Sequence, residues 1–260
     1  MSQPKGYVGP EYLRAAGNQI NHIKKCSYAL MQIQLGHKVL DLGCGPGTDT
    51  ISLAPLVGAS GQVIGADYDE AMIVVAGQRA EQAGVNAWVK HQCADAVSLP
   101  FETDYFDSCR SERLFQHLLK PAQALSEMIR VTKPGGWVVV LDTDWGSLST
   151  DSEDTDIERR LARFLAESYL HNGYSGRTLY RLYKQQNLAD ISFEVFPLAT
   201  LNYALARQVT QAEKIEQEAL IAGVISADEL HRWQTGLEQK DLEGTYFSSV
   251  NLVMFSGRKN

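Results

Sequence analysis

VLDLGCGPGTDT, residues 39–50, is a short apolar run that carries one acid, Asp41, and then breaks into Gly43, Gly45 and Gly47 before a helix-like segment begins. Apolar residues that stop at a glycine cluster read as a buried strand turning sharply into a helix. Glycine lets the backbone take left-handed angles in such a turn and lets a ligand approach it closely. The spacing is G-x-G-x-G, with Thr48 and Asp49 following, and differs from the G-x-G-x-x-G of nicotinamide and flavin sites. A tight strand–helix turn with no ligand is the plain alternative.

Asp41 helps to choose between ligands, because a carboxylate is a poor neighbour for a pyrophosphate. It suits the ammonium and sulfonium of S-adenosylmethionine. Working outward, β-rich runs (KVLDL, QVIGAD, AWVKHQCAD, YFDSCR) alternate with helical segments (TDTISLAPLV, EAMIVVAGQRAEQAG). That rhythm implies a parallel sheet covered on both faces. A helix opens near Pro121 and must end at Lys133-Pro134-Gly135-Gly136, after which WVVVLDT reads as a fifth buried strand. Beyond the acidic stretch at 149–158, two helical segments, the strand ISFEVFPL, two more helices near 211–240 and the strand GTYFSSVNLVMFSGRK complete the chain.

The fold class expected is therefore α/β: a Rossmann-like, seven-stranded, mostly parallel sheet whose last strand is antiparallel. Residues 1–36 are expected to form an N-terminal helical lid, with a helix around 11–31, and residues 37–260 the main domain. Within it, core motifs span 38–143, and a helical cap inserted after strand five occupies about 150–188 and 207–241. Open α/β sheets bind ligands at the carboxyl ends of their strands, so this cap is expected to select the substrate.

Composition narrows the partners. The 260 residues include 31 acidic and 24 basic side chains, a net charge of -7, which gives no uniform basic surface for nucleic acid. The four cysteines, Cys26, Cys44, Cys93 and Cys109, form no Cys-x-x-Cys pair, and no cluster has metal-ligand spacing. No apolar stretch approaches the roughly 20 residues that span a bilayer. A cytoplasmic protein without metal is expected.

DLGCGPGTD resembles the first motif of class I S-adenosylmethionine-dependent methyltransferases, close to the methyltransferase type 11 group that includes the ubiquinone and menaquinone enzymes. The resemblance covers roughly 38–143 and implies a cofactor site built from Asp41, Gly43, Cys44, Gly45, Gly47 and Thr48. Asp67, about 20 residues beyond the loop, is placed by it on the ribose hydroxyls, with Tyr68 and Met72 beside the adenine; helix core is the other reading for Met72. Asp95 and Ala96 fall where the family meets the adenine ring, although Asp95 alone could be a helix cap. Backbone carbonyls near Arg110 and Ser111 would face the methionine end, and Tyr12 or Arg14 its carboxylate. The product would be S-adenosylhomocysteine.

The implied activity is methyl transfer to an oxygen, nitrogen or carbon of a small molecule by in-line displacement, which asks mainly for positioning. His117 is the candidate catalytic base if the acceptor carries a proton. Trp145, Tyr169 and Tyr174 are candidate acceptor contacts, in a region also rich in Phe164, Tyr180 and Tyr183, and suggest an apolar acceptor, aromatic compounds included. Two other readings stay open: a protein that binds the cofactor without methylating, and a protein methyltransferase.

Overall fold

The computed structural model describes residues 20–260. Helix α1 (Asn21–Leu30) leads into β1 (Lys38–Leu42), α2 (Thr48–Val57), β2 (Gln62–Asp67), α3 (Glu70–Gln82), β3 (Val89–Cys93) and β4 (Phe106–Glu112). A 3₁₀ turn (Phe115–His117) and α4 (Pro121–Val131) precede the long β5 (Thr132–Thr150), followed by α5 (Thr155–Phe164), a π-helical turn (Leu165–Tyr169) and α6 (Ser175–Gln185). The chain closes with β6 (Ala189–Thr200), α7 (Tyr203–Thr210), α8 (Ala212–Ile221), α9 (Ala227–Leu242) and β7 (Ser248–Arg258).

The seven strands lie in the order β3-β2-β1-β4-β5-β7-β6, and β7 runs antiparallel between β5 and β6. This is the Rossmann-like α/β fold expected from the alternating pattern. Successive strand residues serve opposite faces. Leu40, Leu42, Val138 and Val140 pack with α4 and α6, whereas Val39, Val139 and Leu141 pack with α1, α2 and α3. From β1 the chain builds outward through β2 and β3, then returns to start β4 on the other side, so the order reverses between β1 and β4. The crevice outside the carboxyl ends of those two strands is where such sheets bind ligands.

Three details differ from the sequence reading. The Lys133-Pro134-Gly135-Gly136 segment does not separate helix from strand; it is a bulge inside β5, with Phe106 opposite Thr132 but Ser108 opposite Trp137. Gly135 takes φ +80° there, and a Cβ on Gly136 would stand 2.5 Å from the Asp107 carbonyl. The strand also continues into the acidic stretch, since Ser149 and Thr150 pair with Ser249 and Ser248.

The third difference concerns the cap. Helix α6, assigned to it from sequence, belongs to the sheet layer: Tyr183 is fully buried, and its hydroxyl lies 3.2 Å from the carbonyls of both Val138 and Phe255. An amphipathic pattern does not say which apolar surface a helix will cover. The helices that pack over the site are α5 together with α7, α8 and α9, three helices where two were read. They share a core containing Ile157, Leu161, Tyr203, Ala219, Trp233 and Leu237. Among the described residues, no helix is long and apolar enough to cross a membrane.

Candidate active site

The glycine loop joins β1 to α2 with Gly43, Gly45 and Gly47 all at positive φ (76°, 50° and 74°). The N–H groups of Gly43 and Cys44 donate to the Ala66 carbonyl at the end of β2, at 2.7 and 3.1 Å. A Cβ on Gly43 would meet Leu114 Cβ at 2.9 Å, and one on Gly47 would meet Ala76 Cβ at the same distance. Both glycines are thus required by packing as well as by backbone angle.

Asp67 ends β2 directly beneath this loop. Its Oδ2 accepts from the Gly45 N–H at 2.8 Å and its Oδ1 from the Asp69 N–H at 3.0 Å. Burial raises its carboxyl against these N–H donors. Tyr68 is exposed, and Met72 is buried on α3. Asp95 follows β3, two residues beyond the partner of Asp67 in the ladder, and is exposed. Its Oδ1 accepts the Val97 N–H at 3.0 Å, so it closes a turn rather than capping a helix. Ala96 beside it is buried. The Cys44 thiol is buried and pushed up by that burial, and its backbone N–H is what ties the loop to Ala66. Thr48 Oγ1 accepts from Arg79, which also holds the Pro46 carbonyl and fixes the outer side of the loop.

Arg110 and Ser111 lie within β4, paired with Asp41 and Leu42 on one side and with Val139 and Val140 on the other. Besides the backbone carbonyls that the resemblance singles out, the Arg110 side chain has a role of its own. That guanidinium is completely buried; Nε donates to Ser27 Oγ (2.8 Å), Nη1 to Asp41 Oδ1 (2.9 Å), and Nη2 binds Glu112 and lies 3.5 Å from Asp49 Oδ1. Lys24 of α1 stands 2.7 Å from Asp49 Oδ2 and 3.3 Å from Glu112 Oε1, while the Tyr28 hydroxyl donates to Asp49. Sequence reasoning missed Lys24, Tyr28, Asp49 and Glu112. Only the placement of Glu112, an acid at the end of a strand like Asp41, could have drawn attention to the cluster.

The two aspartates in this cluster titrate oppositely. Burial raises Asp49, but Arg110 and Lys24 prevail and bring it to about 2. At Asp41 burial prevails over the single contact with Arg110, helped by the nearby charges of Asp49 and Glu112, and takes the carboxyl to about 7. Asp41 Oδ2 is buried and has no hydrogen-bond partner among the described residues. An orphaned carboxylate oxygen at the root of a glycine loop fits a ligand that brings positive charge and donors.

A cavity of about 370 Å³ opens beside the end of β4, between the sheet and the cap. Its wall includes Arg113, Gln116, His117, Trp145 and Tyr169, with His22 from α1. Arg113 sits at φ +51°, held by its N–H on the Leu141 carbonyl (2.8 Å) and by its guanidinium on Glu112. Trp145 Nε1 donates to Gln116 Oε1 at 2.6 Å, and Gln116 Nε2 lies 3.0 Å from His117 Nε2. Tyr174 does not line the cavity; its hydroxyl donates to Glu167, and Arg177 lies over its ring. Phe164 packs within the cap, and Tyr180 and Tyr183 pack against Phe255 on the sheet. Tyr12 and Arg14 lie outside the described residues.

Residues 33–188, more than half of the chain, match the methyltransferase domain family. The chain belongs to this family. Demethylmenaquinone methyltransferase of Bacillus cereus is 32% identical over 180 residues, 67% of this chain and 69% of that protein. An uncharacterized 37.1 kDa protein in a transposon of Streptomyces fradiae is 36% identical over 221 residues, 84% of this chain and 61% of the other. The chain thus spans about three fifths of that relative, and 46% of several other curated methyltransferases it matches. In fold it is similar to the YcgJ protein of Bacillus subtilis, with a TM-score of 0.66, 21% identity and coverage of 92% of this chain and 99% of that one. The methyl donor that the motif resemblance implies for such a domain is S-adenosylmethionine. The positive-φ loop, Asp67 and the orphaned Asp41 oxygen fit that cofactor.

Arg110→Ala would leave three buried carboxylates short of their main counter-charge. It is expected to lower the free energy of unfolding by about 3–5 kcal/mol, read from the midpoint of chemical denaturation. An unchanged midpoint would contradict this reading of the cluster.

Proposed function

We propose that this chain transfers the methyl group of S-adenosylmethionine to an apolar small molecule bound in the cavity under the cap. One observation carries the reading: the segment after β4 touches both halves of the crevice. Leu114 packs on Gly43 of the cofactor loop, while its neighbours Arg113, Gln116 and His117 line the cavity. Donor and acceptor would then meet over the end of β4, held in line and away from water, which is most of what methyl transfer requires.

On this reading Asp67 receives the ribose hydroxyls, Asp41 the ammonium, and the turn at Asp95 and Ala96 borders the adenine. Bound cofactor supplies an electrophilic methyl on sulfur; the chain's part is to orient it. The cavity also speaks to the acceptor. No aspartate or glutamate is among its described lining residues, whereas Arg113, His22 and His117 are. An ammonium would find no counter-charge among these described residues, and burying an unpaired charge is costly. A neutral or anionic acceptor fits, with oxygen or carbon as its reacting atom. Trp145 and Tyr169 in the wall, and the relative named for demethylmenaquinone, support an aromatic one.

Two measurements test this. In a screen for release of S-adenosylhomocysteine, apolar phenols and enols are expected to turn over at least about tenfold faster than amines of similar size. A preference for amines would contradict the acceptor reading. The second concerns Asp41. Burial raises its carboxyl to about 7, and an ammonium placed against it lowers that value, so binding expels a proton. The release is expected to be largest just below pH 7, between the lowered value and about 7, and to fade above that window, where Asp41 is already ionised, and below it, where Asp41 stays protonated in the complex. Calorimetry of S-adenosylhomocysteine binding in buffers of different ionisation enthalpy reads this directly; heats independent of buffer would place the ammonium elsewhere.

A further inference from the structure

Gln116 is pinned at every polar group. Its N–H donates to Asp142 Oδ2 (3.3 Å), and its carbonyl accepts from Asn172 N–H (3.0 Å). Its side-chain Nε2 lies 3.2 Å from the Arg113 carbonyl and 3.0 Å from His117 Nε2, and its Oε1 receives the Trp145 indole at 2.6 Å. The residue is buried in the cavity wall. The orientation of its amide is set by chemistry. An indole N–H can only donate and a carbonyl can only accept, so Oε1 must face Trp145 and Nε2 must face Arg113 and His117. Two independent neighbours thus impose the same orientation.

The consequence falls on His117. Gln116 presents an N–H to His117 Nε2, so that nitrogen must carry a lone pair; a proton there would set N–H against N–H. We propose that Gln116 is a positioning residue that locks His117 as the neutral tautomer protonated at Nδ1. On the reading of this cavity as the acceptor site, on which this last step rests, His117 offers the acceptor no free lone pair, because Nδ1 is protonated and Nε2 is held by Gln116. It does not serve as the proton-abstracting base that its position in the sequence suggested. The acceptor then enters already ionised, as a phenolate or enolate whose proton has gone to solvent. Its oxygen or carbon lone pair forms the new bond to the methyl carbon, and the carbon–sulfur bond breaks with its electron pair left on sulfur.

The lock is read without any acceptor. The protein is labelled with ¹⁵N in its six histidines, and long-range ¹H–¹⁵N correlation at mildly alkaline pH, where imidazoles are neutral, distinguishes the two tautomers. His117 is assigned by the signals lost in His117→Asn. Wild-type His117 is expected to show a protonated Nδ1 and a lone pair on Nε2. In Gln116→Glu, the carboxylate accepts from both Trp145 and His117, and the proton is expected to move to Nε2. Wild-type His117 protonated at Nε2 overturns the proposal whether or not the variant folds, as does an unchanged tautomer in folded Gln116→Glu. Failure of the acceptor screen with an intact tautomer pattern would instead fault the functional reading alone.

Discussion

A guanidinium sealed from water must be met by carboxylates and hydrogen-bond acceptors on every side, and the rest of this site is arranged around how Arg110 meets that demand. Its partners come from separate parts of the chain: Ser27 of α1, Asp41 of β1, Asp49 of α2 and Glu112 of its own strand. Lys24 and Tyr28 of α1 add to the hold on Asp49. The cluster therefore fixes the N-terminal helix against the helix that leaves the glycine loop. Ile20 and His22, at the start of α1, enter the cavity wall in consequence. The cluster stays one donor short at Asp41 Oδ2, which gives a cationic cofactor something to complete.

The end of β4 joins this charged half of the crevice to the apolar half. Glu112 belongs to the ionic cluster, Arg113 bridges from Glu112 to the cavity, Leu114 backs the glycine loop, and Gln116 with His117 lines the cavity. Asp142, fully buried and raised to about 6 by that burial, fixes this segment from below through Gln116 N–H and Ser175. Few side chains in this stretch are left to adjust, which suits a reaction that depends on alignment.

Much of this was legible in the sequence where local chemistry decides structure. Glycines at 43, 45 and 47 announce a turn because only they take those angles without strain, and an acid closing β2 at Asp67 lies where the topology brings it under the loop. The strands KVLDL, QVIGAD and WVVVLDT were readable as apolar runs, whereas β3 and β4, VKHQC and FDSCRSE, were placed by the alternation of strand and helix. What could not be read depends on distance. Arg110 and Ser27 are 83 positions apart, and nothing in YFDSCR says that its arginine is buried. Helix α6 carried the same amphipathic signal as the cap helices and was misplaced for that reason. Tyr174 looked like a pocket residue until its partners, Glu167 and Arg177, were seen outside the cavity.

Calorimetric titration of S-adenosylhomocysteine into the wild type and Asp67→Ala tests most directly whether the loop and Asp67 form the cofactor site. Saturable binding by the wild type, weakened about tenfold or more in the variant through the loss of charge-assisted bonds to the ribose, is the result expected. Equal affinity in the two proteins, or no binding by a folded wild type, would contradict it.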